Sequence, residues 1–218
     1  AFVFFNKHNN EIVLSRDHVG IKPLYFSNFK NGIVFSSEIK GLIDIIPNSK
    51  KIDRLALTCT CLLGQNVLRQ TLFNGIYKIL PGETIIYSLD NRKVKSKFRN
   101  IVKPVSTKSF EIDEFYEQSS LAINNSALGI RNFGMFLSGG LDSSIIAYGL
   151  KNKLRSLNSF TTTMEPNVID KEDYNSDAKV ANKFAQEIQL MHKEIKITPK
   201  TFVDNWNNSI KYIEEPRY

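Results

Sequence analysis

The chain has 218 residues, 42% hydrophobic and 23% charged, with 29 lysines and arginines against 22 acidic residues for a net charge of +7. That apolar supply is enough for a packed core and excludes disorder as the main state. The longest apolar runs, four or five residues such as Ala1–Phe5, fall far short of the ~20 that a membrane-spanning helix needs.

The positive charge is scattered. It is dense only in R-K-V-K-S-K-F-R, Arg92–Arg99, which reads as one solvated hairpin strand, so no nucleic-acid partner is expected. Cys59 and Cys61, two apart, match neither a metal spacing nor a disulfide framework. They read as packing residues on a short helix in a reducing, cytoplasmic setting. The chain opens at Ala1 inside a strand-like run without a Met and stops straight after a helical pattern. It is therefore expected to be a piece of a longer protein.

In chain order, Ala1–Phe5 and Glu11–Ser15 are β-prone runs joined by Asn6–Asn10. Pro23–Phe29 and Gly32–Ser37 flank the turn signal Lys30-Asn31-Gly32. Helices are expected over Glu38–Ile46, stopped by Pro47, and over Asp53–Leu63, capped by Asp53 and ended near Gly64. Gly82–Leu89 and Lys93–Phe98 form a third hairpin around Asp90-Asn91-Arg92. Sequential short hairpins predict antiparallel sheet.

Ile101–Phe110, with Pro104, Ser106, Thr107 and Ser109, reads as a linker. Beyond it strand and helix alternate. Helix Glu111–Leu128 has Ile112, Phe115, Ala122 and Ile123 near helical spacing. Strand Phe133–Leu137, helix Leu141–Lys151 and strand Ser159–Thr163 follow. Helix Asp173–Gln189 aligns Val180, Ala181, Phe184, Ala185 and Ile188. Strand Lys193–Ile197 precedes helix Thr201–Ile213, which aligns Phe202, Trp206, Ile210 and Ile213. That alternation predicts right-handed βαβ units on a parallel sheet.

The strongest chemical signal is F-L-S-G-G-L-D-S-S, Phe136–Ser144, at a strand-to-helix junction. Gly139 and Gly140 permit a tight turn and close backbone approach. The helix N-terminus behind them forms an anion cradle with Leu137, Ser138, Ser143 and Ser144. A carboxylate at Asp142 would repel phosphate unless a cation lay between them, which suggests Mg²⁺. No G-K-[ST] follows, so this is not a Walker A loop. The plainer reading is an ordinary βα turn capped by Asp142 or Ser143.

This segment resembles the loop signature of the PP-loop ATP pyrophosphatases, which cleave ATP between its α- and β-phosphates to adenylate a substrate. The resemblance implies a Rossmann-like, adenine nucleotide alpha hydrolase-like domain that binds ATP and Mg²⁺. It makes Ser159–Met164 the second strand, with Thr162 near the adenine. Glu172-Asp173, Ala178, Val180-Ala181 and His192 follow the same pattern, His192 reading as structural.

The second signal is S-R-D-H-V-G-I-K-P-L-Y-F, Ser15–Phe26. Its physics gives only a turn at Asp17 and Gly20 and an edge strand from Pro23. The string is nevertheless very similar to the R-D-x-x-G-I-x-P-L-Y run of class II glutamine amidotransferases. F-S-S-E-I-K at Phe35–Lys40, and Phe73–Tyr87 with its L-P-G-E, extend the likeness over most of 1–98. By that resemblance Asp17 binds the glutamine α-amino group. Alternatively, it is a turn residue bonding its own backbone.

The two resemblances combine in glutamine-dependent asparagine synthetases. They imply the C-terminal part of an Ntn-type amidotransferase domain over 1–100, a linker over 101–110, and the N-terminal part of a PP-loop synthase domain over 111–218. Implied substrates are glutamine, aspartate and ATP, with β-aspartyl-AMP as intermediate; a homodimer stays open. The family's nucleophile is an N-terminal cysteine. Residue 1 is Ala1, and neither internal cysteine occupies that position, so no catalytic residue is assigned. β-Lactam synthetases, sugar-modifying amidotransferases, an RNA-modifying adenylating enzyme and a non-catalytic nucleotide-binding paralogue remain alternatives.

Overall fold

The computed structural model describes residues 1–30, 32–99, 109, 111–129, 133–151, 153–154, 157–165 and 175–216. The turn residue Asn31, most of the 101–110 linker and the Glu172-Asp173 pair lie outside them. The chain divides into two units, one of Ala1–Val105 with Asn207–Tyr218, the other of Ser106–Trp206.

In the first unit, β1 (Phe2–Asn6), β2 (Glu11–Ser15), β6 (Glu83–Ser88) and β7 (Val94–Phe98) make an antiparallel sheet in the order β1-β2-β6-β7. The strands β3 (Tyr25–Phe29), β4 (Gly32–Ser36) and β5 (Tyr77–Lys78) make a second, ordered β4-β3-β5. The three predicted hairpins are present. The two-residue β5 is an addition, too short to leave a sequence signal. β6 reads E-T-I-I-Y-S and buries every second residue, Glu83, Ile85 and Tyr87, as a half-buried strand does. Ile85 joins Leu14, Leu24, Phe26 and Ile79 in one core cluster. A second cluster gathers Tyr25, Ile39, Leu42, Ile46 and Ile76.

Helix α1 is only Lys40–Ile43, shorter than Glu38–Ile46 predicts. α2 (Arg54–Leu63) matches its signals. Asp53 accepts a hydrogen bond from the Ala56 N–H at its start, and Gly64 closes it in the left-handed conformation at φ 71°.

In the second unit, β8 (Phe133–Phe136), β9 (Leu157–Met164) and β10 (Met191–Ile197) form a parallel sheet in the order β10-β9-β8. It is served by α3 (Ile112–Ala127), α4 (Leu141–Lys151) and α5 (Ser176–Glu187), and α6 (Pro199–Ile213) begins there. Antiparallel sheets followed by a parallel sheet with helices is the architecture the sequence predicts.

The core is Leu137, Ala147, Ala181, Ala185 and Ile188. On α5 the buried line runs through Ala178, Ala181 and Ala185, while Val180, placed on that face by the sequence, is 53% exposed. The expected stripes of α3 and α6 also stay open, with Ile112, Phe202, Trp206, Ile210 and Ile213 all more than half exposed. Among the described residues, no helix is long and apolar enough to cross a membrane.

Candidate functional sites

In the first unit, residues 16–22 form a loop between β2 and β3 that is held from two directions. Arg16 donates through Nε to the Lys22 carbonyl at 2.9 Å, through Nη1 to the Ile79 carbonyl at 2.9 Å and through Nη2 to the Gly20 carbonyl at 2.6 Å. A guanidinium spreads its donors in a fixed plane, so these three bonds fix the loop's shape. The L-P-G-E turn holds the other side. Gly82 N–H donates to the Asp17 carbonyl at 2.8 Å, and Arg16 N–H to the Glu83 carbonyl at 3.0 Å. Gly20 sits at φ +70°, where a Cβ would lie 2.9 Å from Pro81 Cγ, so glycine is required there by backbone and by space.

Glu83 anchors this turn from within the core. It has no exposed surface and accepts from Arg69 Nη2 at 2.6 Å, Ser96 Oγ at 2.5 Å and the Leu80 N–H at 2.9 Å. The loop run and the L-P-G-E run, some sixty residues apart in sequence, thus meet as one structure. Sequence reasoning saw the two runs but not the supporting roles of Arg16, Arg69 and Glu83. Arg16, next to the singled-out Asp17, was the available signal.

Asp17 takes the turn role its position predicts. Its carboxylate accepts from the Val19 N–H at 3.2 Å and from the Ile21 N–H at 3.1 and 3.0 Å. The Ile21 N–H above all, with those of Val19, Gly20 and Lys22, holds its carboxyl below the ordinary carboxylate range, against the opposing effect of desolvation. The pre-charged carboxylate retains acceptor capacity, which suits it to a cation such as a substrate ammonium.

In the second unit, Ser138–Ser144 connects β8 to α4. Gly139 is at φ +77°, and a Cβ there would stand 2.8 Å from the Ala181 nitrogen and 2.9 Å from Val180 Cβ. The glycine is therefore demanded by the close seat of the loop on α5, independently of any ligand. The serines knit the loop to the first turn of α4. Ser138 Oγ lies 3.0 Å from Ser143 Oγ and accepts from the Gly140 N–H at 3.3 Å, while Ser143 and Ser144 donate to the Gly140 carbonyl at 3.1 and 2.8 Å.

Leu137 is different from its neighbours. Its side chain is in the core, and its N–H donates to the Phe160 carbonyl at 2.8 Å. Asp142 and Ser138 are exposed, and Thr162 is exposed on β9. Among the described residues no group of three His, Cys, Asp or Glu side chains could hold a metal. Asp142 alone at the loop mouth fits a Mg²⁺ ligated chiefly by phosphate oxygens and water, the usual arrangement for this ion, and not a protein cage.

His192 is set apart from that loop by its bonding. Ser159, fully buried, donates to the Met191 carbonyl at 3.1 Å and lies 2.9 Å from His192 Nδ1. His192 Nε2 is buried without a partner among the described residues.

Comparison with known proteins places both halves. Residues 1–99 match the family model described as glutamine amidotransferase domain, and residues 120–218 that described as asparagine synthase. The glutamine-hydrolysing asparagine synthetase 1 of Bacillus subtilis is 28% identical over 221 residues, covering 99% of this chain and 33% of the relative. Asparagine synthetase 3 of the same organism is 26% identical, covering 96% and 36%. Amidase chry2 of Gibberella zeae is 25% identical, covering 67% and 22%. The chain spans about a third of the length of the asparagine synthetases it matches.

Proposed function

The chain belongs to the asparagine synthase family, with a glutamine amidotransferase domain ahead of the synthase domain, and we propose that its parent protein makes asparagine from aspartate, ATP and glutamine. The observation that carries this reading is the Ser138–Ser144 loop at a strand-to-helix junction of a parallel sheet, downstream of the Arg16-braced Asp17 loop.

In the first unit Asp17 would hold the glutamine ammonium. Its loop, fixed by Arg16 and the Gly82–Glu83 turn, presents the carboxylate without reorganisation on binding. In the second unit the backbone N–H groups at the head of α4, with the Ser138, Ser143 and Ser144 hydroxyls, would bind the departing pyrophosphate of ATP. Leu137 contributes by anchoring the loop to the sheet through its core side chain. Thr162, exposed on β9, would face the adenine. Asp142 would hold Mg²⁺, which when bound neutralises charge on the phosphates.

The test is the full-length protein supplied with amide-¹⁵N glutamine, ATP and aspartate. Labelled asparagine, AMP and pyrophosphate are expected together. The Asp17→Ala variant should lose synthesis from glutamine and keep synthesis from added ammonia. AMP formed without asparagine, from some other acceptor, would favour the second reading, an amidotransferase for a different acceptor, which the likeness to amidase chry2 supports. No turnover with any nitrogen source would point to a non-catalytic paralogue.

A further inference from the structure

The two glutamates of I-E-E-P, Glu214 and Glu215, fold into the first unit with Asn207–Tyr218, although the synthase family match extends over them. Glu214 accepts from the Ile39 N–H and the Lys40 N–H at 2.8 Å each, through its two oxygens. Lys40, in turn, places its ammonium over the Tyr212 ring at 4.8 Å. Glu215 is 7% exposed. It pairs with Lys78 at 3.0 Å and accepts from the Leu72 N–H at 2.8 Å and Asn66 Nδ2 at 3.2 Å.

Ile39 and Lys40 fall in the F-S-S-E-I-K run and Lys78 in the Phe73–Tyr87 stretch with its L-P-G-E, while Asn66 and Leu72 precede that stretch. None of these partners bonds the Asp17 loop through its side chain; from the L-P-G-E turn that loop is met by the Pro81 ring and by the Gly82 and Glu83 backbone. The backbone supplies a second, independent sign. Glu214 follows α6 at φ 64°, a conformation in which glycine or asparagine is favoured and a longer side chain is uncommon. In that conformation both of its carboxylate oxygens are bonded to the Ile39 and Lys40 N–H groups.

The route from this clasp to the Asp17 loop is short. Lys78, gripped by Glu215, precedes Ile79, whose carbonyl is bonded by Arg16, the neighbour of Asp17. Lys78 also pairs in register with Tyr25, at the start of β3, three residues after the loop. We propose that Glu214 and Glu215 form a clasp by which residues of the synthase sequence set the geometry of the amidotransferase loop, so that glutamine is held well only when the clasp is closed. This rests on the reading of the Asp17 loop as a glutamine site.

Amide hydrogen exchange on the 218-residue chain tests the clasp without any activity. Loss of a hydrogen bond to a charged group should speed exchange at its partner by about tenfold or more. In Glu214→Ala and Glu215→Ala, which remove both acceptor oxygens, that acceleration is expected at Ile39, Lys40 and Leu72, with a smaller one at Val19 and Ile21. Glu214→Gly separates backbone from carboxylate. It relieves the unfavourable φ, so a purely local role would slow exchange, whereas the clasp requires it to quicken.

In the full-length protein, Glu215→Ala should raise the KM for glutamine while synthesis from ammonia is unchanged. Unaltered exchange at Ile39, Lys40 and Leu72 would overturn the clasp. Altered exchange there with Val19, Ile21 and the glutamine KM unmoved would overturn the coupling. A full-length protein that never hydrolyses glutamine would overturn the functional reading instead, leaving the exchange result to stand alone.

Discussion

Single residues divide into those that shape the sites and those offered to a ligand. Gly139 shapes. Its φ and its contact with Val180 and Ala181 both exclude a side chain. Gly139→Ala should cost roughly 2–4 kcal/mol in denaturant unfolding of the second unit. Gly129 makes the control: its φ is +80° but nothing lies within 4 Å of where a Cβ would stand, so Gly129→Ala should cost only the conformational part, roughly 1–2 kcal/mol. Asp142 is offered. Asp142→Asn should abolish ATP–pyrophosphate exchange in the full-length protein and spare glutamine hydrolysis; undiminished exchange would remove Asp142 from the phosphate site. Asp17 does both. Because its folded-state pKa is lowered, its contribution to stability is full above the unfolded value, about 3.9, and is lost as pH falls through the folded value. The stability gap between wild type and Asp17→Asn should therefore close on acidification, which urea unfolding at a series of pH values would show.

At the scale of elements, what could be read from sequence was what is local. Hairpins joined by Asn-rich turns, the Asp53 cap and the strand–helix alternation all rest on neighbours a few residues apart. The pairing of β2 with β6 rests on Leu14 and Ile85 meeting across some seventy residues, and no local signal carries it. Glu83 fell out of view for the same reason, since a charge in L-P-G-E looks solvated until Arg69 and Ser96 enclose it. The Ser138–Ser144 loop was legible because its chemistry lies within one short run. The clasp was not, because I-E-E-P gives a helix end but no hint of Lys78. The edge strand β7 carries its own prediction. All five of its residues are exposed, and Lys95 and Lys97 discourage pairing with another chain. Replacing both by threonine should leave the fold intact and increase aggregation, read by light scattering during concentration.

For the molecule as a whole, each unit has its own core, so damage should stay in the unit that suffers it. Leu137→Ala, emptying the centre of the second unit's cluster, should cost about 2–5 kcal/mol and speed amide exchange in β8, β9 and α5. Exchange in β2, β3 and β6 should be unchanged. The clasp imposes a different kind of dependence, one in time. Leu72 waits for Glu215, which lies 143 residues further along the chain. At about 5–20 residues per second of synthesis, that interval is roughly 7–30 s. Throughout it the emerging hairpins can form from their own local contacts, while Lys78 and the Leu72 N–H still lack their carboxylate. On the proposed coupling, the ribosome's direction of travel orders the two activities: glutamine is not gripped until the sequence that would consume its ammonia is being made.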